Sequence, residues 1–121
     1  MRHLLSILDL TVEEIDSMIS TAQDILDHPE RYREACRDKI LATLFFEPST
    51  RPRLSFESAM LGLGGRVLGF SVASSSSTRK GESVADTISV VSGYADIIAM
   101  RHPKEGAPLV ASQHTRVPVI N

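Results

Sequence analysis

The segment Phe45-Phe46-Glu47-Pro48-Ser49-Thr50-Arg51-Pro52-Arg53-Leu54-Ser55-Phe56-Glu57 gathers hydroxyls and guanidinium groups where an apolar run gives way to a helical pattern. A helix N-terminus exposes unpaired backbone N–H groups and the positive end of the helix dipole, and both favour an anion. Ser49, Thr50 and Arg51 add hydroxyl donors and a planar fork suited to phosphate. The chemistry this predicts is capture of a phosphate-like anion at the carboxyl end of a strand. The plainer reading of the same residues is Ser49 and Thr50 as helix caps and Arg51 as a solvated charge. Pro52 fits a first helical turn, yet it offers a ligand neither an N–H nor a hydroxyl. Arg53 reads as structural, because Glu57 lies four residues on and can pair with it.

Two further segments carry polar chemistry. Ser74 to Ser77, followed by Thr78-Arg79-Lys80-Gly81-Glu82, reads either as a polar loop or as hydroxyls beside Lys80 that complete an anion site. It lacks the glycine spacing of a P-loop, so a nucleoside triphosphate cradle is not supported. Arg101-His102-Pro103-Lys104-Glu105-Gly106 follows an apolar run, with Arg101 at its exit placed for catalysis and His102 equally suited to capping or packing. His3, His28 and His114 lack partners at metal-ligand spacing. No Ser-His-Asp order and no paired carboxylates stand out. Cys36, in a charged stretch, reads as a bystander.

The elements that must position these groups alternate regularly. Thr11 and Glu14 form a capping box, with Leu10 and Ile15 as a staple beside it. Ile15, Met18, Ile19, Ala22, Ile25 and Leu26 follow on one apolar face, and His28-Pro29 stops the helix near Asp27. Ile40 to Phe46 suits a strand covered on both faces. A helix with Phe56, Ala59, Met60 and Leu63 on one stripe ends at Gly64-Gly65. Val67 to Val72 reads as a strand, Ser83 to Val91 as a helix with Val84, Ile88 and Val91 inward, and Ala95 to Met100 as a strand. Ala107 to His114 reads as a short helix and Val117 to Ile120 as a fourth strand. The expectation is an α/β fold, a three-layer domain with a four-stranded parallel sheet flanked by helices. Ligands of such sheets bind outside the carboxyl ends of the strands. All three chemically rich segments fall at those ends.

At 121 residues the chain fits one domain with a real core. A formal net charge of -2 gives no general attraction to nucleic acid, so any bound anion must be held by a local cluster. One cysteine excludes an internal disulfide and suits a reducing compartment. No apolar run reaches membrane-spanning length and no signal-peptide cleavage pattern stands at the start, so a cytoplasmic, non-membrane protein is expected.

The segments FFEPSTRPR at 45–53, KGESVADTISVVSGYADIIAMRHPKEGA at 80–107 and VPVIN at 117–121 resemble the carbamoyl-phosphate-binding domain of the aspartate and ornithine carbamoyltransferases. KGESVADTIS and RHPKEGA look like the aspartate branch. The resemblance implies transfer of the carbamoyl group from carbamoyl phosphate to L-aspartate, giving N-carbamoyl-L-aspartate and phosphate in de novo pyrimidine biosynthesis, with no cofactor and no metal. It implies that Ser49, Thr50 and Arg51 hold the phosphate, that Arg101 grips phosphate and polarises the carbonyl oxygen, and that Ser76 and Lys80 reach into a neighbouring subunit's site. Arg51 and Arg101 are the implied catalytic residues. A homotrimer of catalytic chains, open to association with regulatory chains, is the implied assembly.

Pro52 departs from the family's Ser-Thr-Arg-Thr-Arg pattern, and the sequence closes directly after its fourth strand segment. Residues 1–121 are thus expected to be the carbamoyl-phosphate-binding domain truncated at its C-terminal end, without the aspartate-binding domain, and inactive alone. Two alternatives stay open: a non-catalytic anion-binding or assembly module of the same fold, and the ornithine-specific enzyme.

Overall fold

The computed structural model describes residues 1–71 and 83–121. Helix α1 spans Val12–Asp27 and starts as its sequence dictates: the Thr11 hydroxyl accepts from Glu14 N–H, and the Glu14 carboxylate accepts from Thr11 N–H. Strand β1, Ile40–Phe45, is buried from Leu41 to Phe45, as expected of a strand covered on both faces. Helix α2 covers Thr50–Gly62, β2 Arg66–Ser71, α3 Val84–Val91, β3 Ile97–Arg101, α4 Ala107–Ser112 and β4 Val119–Ile120. Ser83 caps α3 with its own box to Asp86. Short 3₁₀ turns at Ile7–Asp9 and Pro29–Arg31 were not foreseen.

The four strands form one parallel sheet in the order β2-β1-β3-β4. One face carries Ala42, Leu44, Ile98, Met100 and Val119 against Ile88 of α3 and Ala111 of α4. The other carries Leu41 and Ala99 against Met60 and Phe56 of α2, and Phe45 meets Phe56 edge-on at 6.4 Å between ring centres. Helices on both faces complete the three layers. The N-terminal segment extends the sheet beside β4: Leu4 N–H donates to Val119 O, and Asn121 N–H donates to Leu4 O, each at 2.9 Å.

The apolar face expected of α1 is only partly covered. No residue of α1 is buried, and Met18, Ile19 and Leu26 are 51%, 63% and 75% exposed. The reason is placement: α2 already occupies that sheet face over β1 and β2. Met18 looks across an open groove of about 220 Å³ toward Ile97, Pro118 and Ile120.

The turn leaving α2 depends on Gly64, whose φ of +85° is the left-handed region. A Cβ there would also lie 2.2 Å from the carbonyl oxygen of Arg33. Gly62, the last residue of α2, has nothing within 4 Å of such a carbon. Gly64→Ala is therefore expected to lower the unfolding free energy by at least ~2 kcal/mol, whereas Gly62→Ala raises it by up to ~1 kcal/mol. Urea unfolding of the two variants beside the parent measures the contrast.

Candidate anion-binding site

The direction of chain travel reverses at the seam between β1 and β3. β1 leads through α2 to β2 on one side, and β3 leads through α4 to β4 on the other. A crevice opens where such a reversal occurs. In register, Phe45 stands opposite Arg101, and Phe46 N–H donates to Arg101 O at 2.8 Å. The seam thus brings Glu47–Arg53 and Arg101–Glu105 to one edge of the sheet.

Ser49 is the N-cap of α2 and Thr50 its first residue, so the hydroxyl- and guanidinium-bearing residues do open a helix. The cap is unusual. Ser49 makes no side-chain cap hydrogen bond, and the first turn holds no acidic residue. In α1 and α3 a capping box occupies these donors, and Glu13, Glu14 and Asp86 offset the dipole. In α2 the first intrahelical bond runs from Arg53 N–H to Ser49 O at 3.2 Å. Pro52 has no N–H, so the N–H groups of Ser49, Thr50 and Arg51 remain outside the helical ladder. Two arginines sit at the positive end of the dipole, an arrangement unfavourable until an anion arrives.

Arg53 is neutralised locally, as its spacing from Glu57 implied. Its Nε donates to Glu57 Oε2 at 2.6 Å. Thr43 Oγ1 donates to the same oxygen at 2.8 Å. Burial pushes the Glu57 carboxyl up, but the bonds from Arg53 and Thr43 and the Arg53 charge outweigh it and hold the group below the ordinary carboxylate value. Arg51 is exposed, with no ion-pair partner among the described residues. Arg101 Nη2 lies 3.3 Å from Glu47 Oε1, an ion pair that no spacing rule marks. A cavity of about 390 Å³ is lined by Phe45, Glu47, Pro48, Ser49, Thr50, Arg53, Leu54 and Glu57. Arg51 and Arg101 are not in that lining, so the cavity adjoins the cations without enclosing them. Ser76 and Lys80 lie outside the described residues.

His102 both packs and caps, the two roles its position allowed. Its ring lies 5.0 Å from that of Phe46, and its Nδ1 accepts the Lys104 N–H at 2.9 Å. The neutral ring therefore carries its proton on Nε2. The other histidines are tied locally: His3 Nδ1 accepts from Val119 N–H, His28 faces Glu30, and His114 Nδ1 lies against Val110 O. Among the described residues no cluster of His, Cys, Asp or Glu could hold a metal, and no helix is long and apolar enough to cross a membrane.

Residues 2–121 match the family described as aspartate/ornithine carbamoyltransferase, carbamoyl-P binding domain. The chain is 64% identical over its whole length to the aspartate carbamoyltransferase catalytic subunit of Lachnoclostridium phytofermentans, of which it spans 39%. It superposes with a TM-score of 0.92 on the catalytic subunit of M. jannaschii aspartate transcarbamoylase, at 51% identity, covering all of this chain and 41% of that one. Aspartate transcarbamoylase from Trypanosoma cruzi, solved in complex with carbamoyl phosphate and aspartate, matches with a TM-score of 0.90 at 33% identity over 99% of this chain and 40% of that one. The chain thus spans about two fifths of the length of these relatives.

Burial lowers the His102 pKa from its ordinary 6.5, the nearby Lys104 charge lowers it further, and Glu47 opposes them. The unfolded chain therefore takes up a proton before the folded one does. Stability is full above pH 6.5 and falls as the pH drops toward the lower folded value. Protonation also displaces the Lys104 N–H from Nδ1, since both ring nitrogens then donate. Melting temperature followed against pH is expected to show this acid loss in the parent and to lose that component in His102→Asn.

Proposed function

The chain belongs to the aspartate/ornithine carbamoyltransferase family, and from that premise we propose that it is the carbamoyl-phosphate-binding domain of an aspartate carbamoyltransferase. One observation carries this reading: α2 begins with an unengaged Ser49 cap, two arginines and no acidic residue, beside the Arg101 exit of β3. A helix start left so unbalanced suits a doubly charged phosphate group.

In the proposed reaction the amine of L-aspartate attacks the carbonyl carbon of carbamoyl phosphate. Negative charge grows on the carbonyl oxygen, the C–O bond to phosphate breaks, and phosphate departs. The chain's own residues supply fixed donors for both charges. Ser49, Thr50 and the free N–H groups of the first turn hold the phosphate, and Arg51 neutralises it as it leaves. Arg101 donates to the carbonyl oxygen and to phosphate, with its guanidinium steadied by Glu47. Donors aimed at developing charge are worth about 3 kcal/mol each in such transition states.

In the whole enzyme we assign the acceptor amino acid to a further domain, and we place Ser76 and Lys80 of a neighbouring subunit at the site within a homotrimer. The cytoplasm and pyrimidine biosynthesis are the setting this assigns. Pro52 favours a second reading, a module that grips phosphate without transferring the carbamoyl group, because it removes one donor from the cradle.

Calorimetric titration with carbamoyl phosphate and with inorganic phosphate tests the site. Arg51→Ala and Arg101→Ala are each expected to weaken binding by about 2 kcal/mol, roughly thirtyfold. Pro52→Thr restores a backbone donor and a hydroxyl, and a gain of about 1 kcal/mol, roughly fivefold, is expected. Unchanged affinity in both arginine variants would remove the anion from this end of the sheet. Formation of carbamoyl-aspartate by the whole enzyme carrying Pro52 decides between transfer and mere binding.

A further inference from the structure

The first turn of α2 is tied to the sheet beneath it by directional bonds. Thr43 is fully buried in β1 and donates its hydroxyl to Glu57 Oε2 at 2.8 Å. Arg53 Nε reaches the same oxygen at 2.6 Å, while the backbone N–H of Arg53 closes the first turn on Ser49 O. A continuous path thus runs from the central strand through one carboxylate oxygen to the cap residue. The apolar contacts of α2, through Phe56 and Met60, lie further along the helix. Apolar burial is itself non-directional and constrains the helix's rotation and advance along the sheet loosely, whereas hydrogen bonds to a charged group constrain them sharply.

The path requires Gly69. Thr43 and Gly69 are register partners across β1 and β2, and a Cβ at Gly69 would lie 2.0 Å from Thr43 Oγ1 and 3.0 Å from Thr43 O. The hydroxyl is anchored to Glu57 and cannot swing aside without breaking that bond. A bare backbone in β2 is therefore a condition of the tie in β1.

We propose that Thr43, Glu57 and Gly69 are positioning residues that fix the direction of the α2 first turn, and through it the aim of the Thr50 and Arg51 donors. The inference rests on the anion-site reading of that turn. It also accounts for Arg53: held by Glu57, its charge is withdrawn from the anion, and Arg51 is left as the first-turn cation that meets it.

Thr43→Val keeps the shape of the side chain and removes the hydroxyl, Gly69→Ala displaces it, and Thr43→Ser restores it. Two readouts on the purified protein separate the possibilities. In the ligand-free state, the backbone amide resonances of Thr50 and Arg51 are expected to move in Thr43→Val and Gly69→Ala and to return to the parent positions in Thr43→Ser. Titrated with inorganic phosphate, the first two variants are expected to bind roughly tenfold more weakly, and Thr43→Ser within about twofold of the parent. A lowered melting temperature with unmoved Thr50 and Arg51 amides would overturn the proposal, as would displaced amides with parent-like phosphate affinity. If the parent itself takes up no phosphate, the anion reading fails, and the amide resonances still decide whether the network sets the turn.

Discussion

The seam between β1 and β3 is the constraint on which the site depends. Strand order reverses there, so the chain leaving β1 turns to one face of the sheet and the chain leaving β3 turns to the other. The diverging loops leave a crevice between them. The seam is also deeply buried: Ala42, Leu44, Ile98, Ala99 and Met100 are all nearly inaccessible. Its last rungs hold Arg101 opposite Phe45 and bond Phe46 N–H to Arg101 O. Two loops far apart in sequence are thereby held at a fixed offset by backbone bonds, which side-chain motion cannot relax.

Against that frame of strands, the helix starts differ in how their orphan donors are used. α1 and α3 satisfy theirs internally, each by a reciprocal box with a carboxylate at the third position. Such a cap is worth about 1 kcal/mol. α2 forgoes it and places Arg51 and Arg53 in the same turn, which costs a few tenths of a kcal/mol more against the dipole. Local choices that disagree with stability mark functional positions in an otherwise consistent sequence. The disagreement here is confined to one turn. Glu57 cancels Arg53 four residues later, so the unbalanced charge that remains is that of Arg51 and the helix end.

Much of this was legible in the sequence because it is local. A box from Thr11 to Glu14, an arginine four residues before a glutamate, a nearly continuous apolar run from Ile40 and a proline after His28 are all rules of short spacing, and the elements begin and end close to where those rules set them. What escaped is what depends on distance in the chain. Thr43 read as one residue of an apolar run, yet its hydroxyl is aimed by a helix that starts seven residues later and by a glycine in the neighbouring strand. Glu47 carries no sequence mark of its pairing with Arg101, because parallel register alone makes them neighbours. Leu4 gave no signal of joining β4, since a single bridge needs no alternation of side chains. The helical period of α1 was real, but period says which residues share a face and not whether anything covers it.

Pro52 shows how stability and ligand grip trade against each other within one turn. A proline ring fixes φ near the helical value, and where the position tolerates it the loss of unfolded-state freedom stabilises a protein by about 0.4–1 kcal/mol. At the third position of α2 the missing N–H breaks no helical bond, so the chain keeps that gain. The same missing N–H removes one donor from the anion, a loss of about 1 kcal/mol on the ligand side. More of the charge must then be met by side chains. Arg101 is suited to this because its pairing with Glu47 is half-exposed, at 48% and 30%, and exposed pairs are worth under about 1 kcal/mol. An ion pair that weak orients the guanidinium without committing it. The helix start is thus firmer, and the anion it takes leans harder on the arginine contributed by the neighbouring strand.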